Sequence, residues 1–170
     1  MSKYGEAKEV GRLAERVALH CGIHPAVARQ IRTAAPLHDI GKSKLPRDIL
    51  DKPDKLNEQE YELMKSHTLI GAELLKSIQG ATGVMARKMA MYHHEWYDGS
   101  RSYWGKQTDE LPCYVAYVAI SDVYIALTNE RPYKEAWTPE NALDYIMAQA
   151  GTQFSPALVD AFVPLARAFS

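Results

Sequence analysis

The sequence has few cysteines, no long apolar run and no excess of charge of either sign. Its two cysteines, Cys21 and Cys113, lie far apart without metal-site spacing, so we predict free thiols. No apolar run approaches the roughly 18 residues that suggest a membrane span, and the first eleven residues show no secretory signal. With 20 basic and 21 acidic residues, the chain lacks a general attraction for nucleic acid or anionic membranes. We therefore expect a cytoplasmic protein that binds neither nucleic acid nor membranes.

Hydrophobic residues follow the period of a helix along most of the chain. The 170 residues, 46% hydrophobic and 24% charged, have the size and composition of one ordinary folded domain. Val10, Leu13 and Val17, for example, recur at three- and four-residue spacing, as on the buried face of an amphipathic helix. No segment shows a credible strand pattern. We therefore predict an all-α, single-domain helical bundle over residues 1–170.

Local signals mark where several helices begin. Polar residues followed by proline are typical of helix N-termini and occur at His24-Pro25, Thr138-Pro139 and Ser155-Pro156. Asn57 and Glu60 have the spacing of a capping pair. Residues 41–55 read as a loop with a short turn near Asp48 to Leu50. Residues 96–109 are polar and form the longest predicted irregular segment.

Histidine and aspartate residues recur at helix ends and within apolar helices. The set consists of His38-Asp39, His67, His93-His94 and Asp122. Asp122 lies in a strongly apolar segment, where an ionised carboxylate is costly unless it is paired or bound to a metal. Imidazole and carboxylate ligands together suit Fe, Mn, Ni or Zn. A single buried histidine is more often a hydrogen-bonded core residue, so the hypothesis depends on the whole set. The other two histidines, His20 and His24, are interpreted as surface or capping residues.

The order of these residues resembles the HD-GYP domain, a branch of the HD superfamily of metal-dependent phosphohydrolases. The similarity is clearest at His38-Asp39-Ile40-Gly41-Lys42 and covers approximately residues 6–163. It continues through Leu45-Pro46, Lys52-Pro53, Met64-Lys65-Ser66-His67-Thr68, His93-His94-Glu95, Asp98-Gly99, Asp122-Val123-Tyr124, Ala126-Leu127-Thr128 and Arg131-Pro132-Tyr133-Lys134. The resemblance implies the HD phosphohydrolase type of helical bundle.

The resemblance also implies roles for individual residues around two divalent metal ions. Asp39 would bridge the ions, and a metal-activated hydroxide would act as the nucleophile. The first ion would be bound by His38, Asp39 and Asp122, and the second by His67, His93 and His94. Lys42 would contact a phosphate or the leaving oxygen, so Lys42 and Asp39 are the expected catalytic residues. Arg131 would contact a phosphate or a base; a helix-end ion pair is the alternative for this arginine.

One three-residue motif and three single positions depart from the pattern of the family. Arg101-Ser102-Tyr103 replaces the Gly-Tyr-Pro motif, while Ile125 and Ala116 replace an aspartate and an arginine. Glu6 occupies the place of the first metal-binding histidine and is either a replacement ligand or a solvated helix residue. With Tyr103 and Trp104, Arg101 is a candidate for a different substrate-binding surface, the alternative being an exposed loop without a ligand. The departures are concentrated among the expected substrate contacts.

Three functions are compatible with these features. The first is a metal-dependent phosphodiesterase acting on a cyclic dinucleotide such as cyclic di-GMP. The second is a catalytically impaired module that keeps its metal and binds a nucleotide or a signalling protein partner. The third is a phosphohydrolase of another nucleotide or phosphoester. The first is the preferred hypothesis because the expected metal ligands are nearly complete.

Overall fold

The computed structural model describes residues 3–130 and 135–169 and shows a bundle of helices. The helices are α1 (Lys3–His20), α2 (Pro25–Ala34), α3 (Arg47–Leu50), α4 (Glu58–Leu74), α5 (Gly80–Tyr92), α6 (Cys113–Thr128), α7 (Pro139–Ala148) and α8 (Pro156–Arg167). Short 3₁₀ turns occur at Ala35–Leu37, Ile40–Lys44, Leu75–Ser77 and Thr108–Glu110. In these two ranges the only β-type pairing is an isolated bridge between Ala150 and Phe154. The all-α prediction is confirmed.

Helix starts follow the predicted capping residues. Asn57 Oδ1 accepts a hydrogen bond from Glu60 N at 2.9 Å, and Glu60 Oε2 accepts one from Asn57 N at 2.8 Å. The hydroxyls of Thr138 and Ser155 cap α7 and α8, and the His24 ring caps α2. Each cap satisfies a backbone N–H that has no partner within the helix. The capping predictions are therefore confirmed.

The centre of the bundle is formed by α1 and α6. α1 packs against α2 and α6, and α5 packs against α2, α4 and α6. Fully buried side chains from these helices include Leu13, Val17, Ile31, Met89 and Ile120. Such close packing fixes the position of α6, which carries Asp122. None of the helices in the described ranges has the length and apolar character needed to cross a membrane.

Gly41 allows the turn after Asp39 to lie directly on the backbone of α4. A Cβ atom at this position would lie 1.9 Å from the carbonyl oxygen of His67 and 2.6 Å from the backbone nitrogen of Gly71. Backbone atoms of a helix cannot move aside as the end of a flexible side chain can. The missing side chain at Gly41 therefore sets the separation between Asp39 and His67.

Gly41→Ala should destabilise the fold and displace the 3₁₀ turn Ile40–Lys44 from α4. We expect a loss of about 1–3 kcal/mol in the free energy of unfolding, the usual effect of forcing extra volume into a packed contact. Chemical denaturation measures the loss. Gly71→Ala is the control on the same contact, because its Cβ would lie 3.3 Å from the Ala90 methyl group and 3.4 Å from the backbone nitrogen of Gly41, far less close than the contacts at Gly41. Equal stability of Gly41→Ala and the unmodified protein would contradict this packing.

Candidate metal centre

The carboxylate of Asp39 lies among imidazoles that come from different parts of the fold. His38 and Asp39 occupy the link between two 3₁₀ turns, His67 lies in α4, and His93 directly follows α5. The Nε2 atoms of His67 and His93 lie 3.2 and 3.5 Å from Asp39 Oδ1. Packing of the turn, α4 and α5 therefore brings residues that are distant in the sequence to one carboxylate.

A second set of contacts extends this cluster to α6. His38 Nε2 lies 3.6 Å from Asp39 Oδ2 and 3.4 Å from Asp122 Oδ1, so the His38 ring stands between two carboxylates. The ammonium group of Lys42 donates to the same Asp39 oxygen, Oδ2, at 2.6 Å. The two aspartates and His38 thus form a continuous polar group with the α4 and α5 histidines.

Three histidines are held with the same ring nitrogen directed away from the cluster. The Nδ1 atom of His38 lies 2.7 Å from the Ala35 carbonyl oxygen, and that of His93 lies 2.9 Å from the Met89 carbonyl oxygen. His67 Nδ1 has the same kind of partner one turn earlier in α4. Because a carbonyl oxygen can only accept, each Nδ1 donates a proton. In the neutral ring this leaves the Nε2 lone pair facing the cluster, the arrangement found in metal-ligating histidines.

Four buried atoms of the cluster have no hydrogen-bond partner in the described part of the chain. They are the Nε2 atoms of His38, His67 and His93, and Asp39 Oδ1. Buried polar atoms are normally satisfied, so four unsatisfied atoms at one place indicate a missing partner. One ligand atom from each of Asp39, His67, His93 and His94 lies within 4.8 Å of the other three. This nitrogen and oxygen set fits a divalent cation, and the cluster could hold metal ions.

The carboxylates dominate the electrostatics of the cluster. Burial opposes protonation of His38, but the charges of Asp39 and Asp122 outweigh it and raise the His38 pKa to about 9. Burial likewise opposes ionisation of both aspartates. Lys42 and His38 lower the pKa of Asp39 well below its usual value, and His38 lowers that of Asp122. Both carboxylates are therefore ionised at neutral pH and available as ligands.

For His93 and His94, unlike His38, burial determines the direction in which the pKa changes. It lowers the pKa of His93, and it lowers the pKa of His94 well below the usual value, with the neighbouring His93 adding to the effect. Neutral imidazole is the form that binds a metal. The metal-binding forms of His93 and His94 are thus favoured at neutral pH.

A segment of the irregular region covers one side of the cluster. The Tyr103 ring stacks on the His94 ring, with centroids 4.5 Å apart and planes 25° apart. Glu95, only 2% exposed, accepts hydrogen bonds from the backbone nitrogens of Trp104 at 3.0 Å and Lys106 at 2.8 Å. Glu95 lies within the family motif His93-His94-Glu95, but no role was predicted for it from the sequence. Its position directly after the candidate ligands His93 and His94 is the signal in the sequence that could have identified it.

A cleft of about 310 Å³ opens beside the cluster. Its lining combines the polar side chains of Asp39, Lys42, His94 and Asp122 with the side chains of Val123, Ala126, Leu127 and Tyr145. Tyr145 comes from α7 and was not predicted from the sequence as a site residue. No local motif distinguishes it from the other aromatic residues of the helices. Only the packing of α7 beside α6 shows that it reaches the cleft.

Three residues predicted for the site lie outside this cluster or outside the described residues. Glu6 is half-buried in the first turn of α1 and does not belong to the group of four converging ligands. Arg101 is exposed, and its guanidinium lies 5.3 Å from the centroid of the Trp96 ring. Arg131 lies outside the described residues. Their proposed roles in metal or substrate binding remain predictions.

Comparisons with known proteins agree with this architecture. A family model described as HD domain matches residues 2–158. The chain is 42% identical over 156 residues to the cyclic di-GMP phosphodiesterase response regulator RpfG of Xanthomonas campestris pv. campestris, covering 92% of this chain and 41% of that protein. It is 38% identical over 161 residues to 3'3'-cGAMP-specific phosphodiesterase 2 of Vibrio cholerae, covering 91% and 31% of the two chains. The chain thus spans less than half the length of these relatives.

Solved structures share the fold at low sequence identity. Bd1817, an HDGYP protein from Bdellovibrio bacteriovorus, has a TM-score of 0.77 and 16% identity, over 98% of this chain and 53% of that one. The PgpH HD domain of L. monocytogenes, solved in complex with cyclic-di-AMP, has a TM-score of 0.65 and 20% identity, over 98% and 88%. The family that the sequence resembles is confirmed. The chain belongs to the HD domain family, with cyclic dinucleotide phosphodiesterases of the HD-GYP type among its relatives.

Proposed function

We propose that this chain is a metal-dependent phosphodiesterase domain that hydrolyses a cyclic dinucleotide such as cyclic di-GMP. The observation that carries the proposal is the convergence of histidine and aspartate ligand atoms beside a cleft lined by both polar and apolar side chains. A phosphodiester needs charge stabilisation at phosphorus, and a nucleoside needs a surface for its base. The polar and the apolar side chains of the lining meet these separate requirements.

The residues around Asp39 are suited to hold divalent cations. Asp39, His67, His93 and His94 form one candidate ligand group, and Asp39 with His38 and Asp122 forms a second that shares the same carboxylate. Bound cations would supply Lewis acidity for the hydrolysis of a phosphoester. The protein's own contribution is to favour the neutral form of His93 and His94, to keep the carboxylates ionised and to hold both kinds of group in fixed orientations.

Lys42 is placed to bind the phosphate of a substrate. Its side chain is 36% exposed, lines the cleft and holds its ammonium 2.6 Å from Asp39 Oδ2. This ion pair keeps the positive charge at the border between the cluster and the cleft. A phosphate oxygen entering the cleft would meet an ammonium donor, which stabilises negative charge on the oxygens during P–O bond cleavage.

An apolar wall of the same cleft offers a surface for a nucleobase. Val123, Ala126 and Leu127 line it from α6, and Tyr145 adds an aromatic ring from α7. The Tyr145 hydroxyl donates to Gln153 Oε1 at 3.4 Å, and Trp137 packs edge-on against the ring at a centroid distance of 6.0 Å. An aromatic ring held in place can stack on any base. This wall favours a nucleotide over a small phosphoester without a ring.

The names of the relatives support the same substrate class. Cyclic di-GMP and 3'3'-cGAMP phosphodiesterases match this chain over most of its length. Because the chain corresponds to only part of each relative, the activity and the choice between these dinucleotides are part of our proposal.

A catalytically impaired binding module is the second candidate, and the substituted residues favour it. Ile125, which replaces an aspartate of the family pattern, is 3% exposed and contributes no carboxylate to the cleft. Arg101-Ser102-Tyr103 replaces the Gly-Tyr-Pro motif. A protein of this kind would bind metal and nucleotide without turnover.

Metal binding should stabilise the fold through Asp39. A ligand that binds only the folded state stabilises it by about 2.7 kcal/mol at a concentration of 100 times its dissociation constant. We expect saturating Mn²⁺ to raise the thermal midpoint of metal-free protein by several degrees. Asp39→Ala should remove most of this rise, whereas Asp160→Ala, at an exposed position of α8, should keep it. Differential scanning calorimetry with and without Mn²⁺ measures the effect, and an undiminished rise in Asp39→Ala would refute the centre.

Catalysis should depend on Lys42 more strongly than metal binding does. Loss of a single charge-stabilising donor typically lowers kcat by about 10²–10³-fold, so we expect a fall of this size for Lys42→Ala with unchanged metal content. Lys44→Ala, exposed in the same 3₁₀ turn, is the matched control and should retain full activity. The assay measures hydrolysis of cyclic di-GMP, 3'3'-cGAMP and bis-p-nitrophenyl phosphate with Mn²⁺.

The pattern of substrates distinguishes the candidate functions. The proposal requires faster cleavage of a cyclic dinucleotide than of bis-p-nitrophenyl phosphate. Nucleotide binding without turnover in metal-loaded protein would favour the impaired module. Preferential cleavage of the generic ester would favour a phosphohydrolase of another substrate.

Tyr145→Ala should weaken substrate binding with little effect on the chemical step. Loss of base stacking typically reduces affinity by about 1–3 kcal/mol, so we expect KM for cyclic di-GMP to rise about tenfold or more while kcat changes little. Tyr145→Phe should retain most of the affinity, because it keeps the ring. Hydrolysis of bis-p-nitrophenyl phosphate serves as the control, since this ester does not require the nucleobase surface. An unchanged KM for the dinucleotide in Tyr145→Ala would contradict the base-binding role.

A further inference from the structure

His94 differs from the other histidines of the cluster in how its ring is held. The Nδ1 atoms of His38, His67 and His93 are each tied to a backbone carbonyl within the preceding turn. Over residues 3–130 and 135–169, no hydrogen bond holds the His94 ring in this way. Helix geometry therefore does not explain why this ring faces the cluster.

An aromatic contact takes the place of the missing hydrogen bond. The Tyr103 ring lies nearly parallel to the His94 ring at a centroid distance of 4.5 Å. Its stacking limits rotation of the imidazole about its side-chain bonds. His94 also lies against the rings of His93 and His67, with centroid distances of 4.0 and 5.3 Å. Of these three aromatic neighbours, only Tyr103 lies nearly parallel to the His94 ring.

Tyr103 is itself held in place by residues of α4. Tyr61 packs against its ring edge-on, with centroids 5.9 Å apart, and the ammonium of Lys65 lies 5.8 Å from its centroid. The next residue, Trp104, donates its indole N–H to Thr68 Oγ1 at 3.1 Å. These contacts connect the Tyr103 segment to the helix that carries His67.

Glu95 fixes the same segment from the α5 side. Its carboxylate is buried directly after His94 and accepts the backbone N–H groups of Trp104 and Lys106. The chain therefore leaves His94, forms a loop and returns to lie against it, with the two ends joined by charge-assisted hydrogen bonds. This closure holds the backbone on both sides of Tyr103 close to the imidazole.

From these contacts we infer that Tyr103 is a positioning residue that fixes the ring plane of His94 for metal binding. The inference rests on the metal-dependent function proposed above and adds a residue to it. Partners beyond the direct ligands orient those ligands and affect metal affinity. In the family pattern this position belongs to the proline of Gly-Tyr-Pro, so the stacked ring is a feature of this chain. The segment Arg101-Ser102-Tyr103, which departs from the family pattern, thus helps to position a ligand of the metal centre.

A Mn²⁺ titration of the whole chain tests the inference without any assay of activity. The electron paramagnetic resonance signal of free aqueous Mn²⁺ gives the affinity of each variant. Loss of a partner behind a metal ligand typically weakens binding by about 10–100-fold, and we expect Tyr103→Ala to fall in this range. Tyr103→Phe retains the ring and should bind as the unmodified protein does. Tyr103→Leu retains apolar volume without an aromatic plane and should resemble Tyr103→Ala.

A double-mutant comparison separates positioning of His94 from a general effect on the fold. His94→Ala should weaken Mn²⁺ binding, and Tyr103→Ala should cause no further loss in that background because its effect passes through the missing imidazole. A further loss would show that Tyr103 acts by another route and would overturn the inference. Mn²⁺ affinity of Tyr103→Leu equal to that of the unmodified protein would overturn it as well, even if Tyr103→Ala fails to fold.

The same titration distinguishes failure of this inference from failure of the proposed function. Unchanged Mn²⁺ affinity in His94→Ala would remove His94 from the centre and with it the basis of both. Weaker binding in His94→Ala together with normal binding in Tyr103→Ala and Tyr103→Leu would leave the centre intact and reject only the role of Tyr103.

Discussion

The buried oxygen Oδ1 of Asp39 has two imidazole nitrogens within 3.5 Å and no hydrogen-bond donor in the described part of the chain. An ionised carboxylate in such surroundings requires a positive partner. Lys42 provides one at Oδ2, which leaves Oδ1 to the histidine side of the cluster. A cation bound there would satisfy the carboxylate and the free imidazole nitrogens together. The packing of the 3₁₀ turn on α4, possible because Gly41 has no side chain, holds these groups at this separation.

Much of the helical framework was predictable because its determinants are local. The capping pair Asn57 and Glu60 and the hydroxyls of Thr138 and Ser155 start helices through contacts within three residues, so their spacing is sufficient. The cluster was predictable for a different reason. The order of the histidines and aspartates matches a family pattern, which carries information about three-dimensional proximity that composition and periodicity do not contain. The roles of the individual ligands rest on that resemblance.

Contacts between distant segments were not predictable in the same way. Tyr103 belongs to a polar irregular segment, and only the return of this segment, anchored on Glu95, places its ring on His94. The position of Tyr145 depends on how α7 packs beside α6. The guanidinium of Arg101 lies over Trp96, and its role as a substrate contact stays a prediction. Such positions depend on tertiary packing, for which the sequence has no local signal.

Side chains from a 3₁₀ turn, α4, the end of α5 and α6 would together bind metal in the proposed centre. Anomalous X-ray diffraction from crystals grown with Mn²⁺, recorded on both sides of the manganese absorption edge, can locate such ions. We expect strong manganese-specific density between the Asp39 carboxylate and the imidazoles of His67, His93 and His94. Well-ordered crystals with these side chains in place and no manganese-specific density among them would contradict the proposed centre.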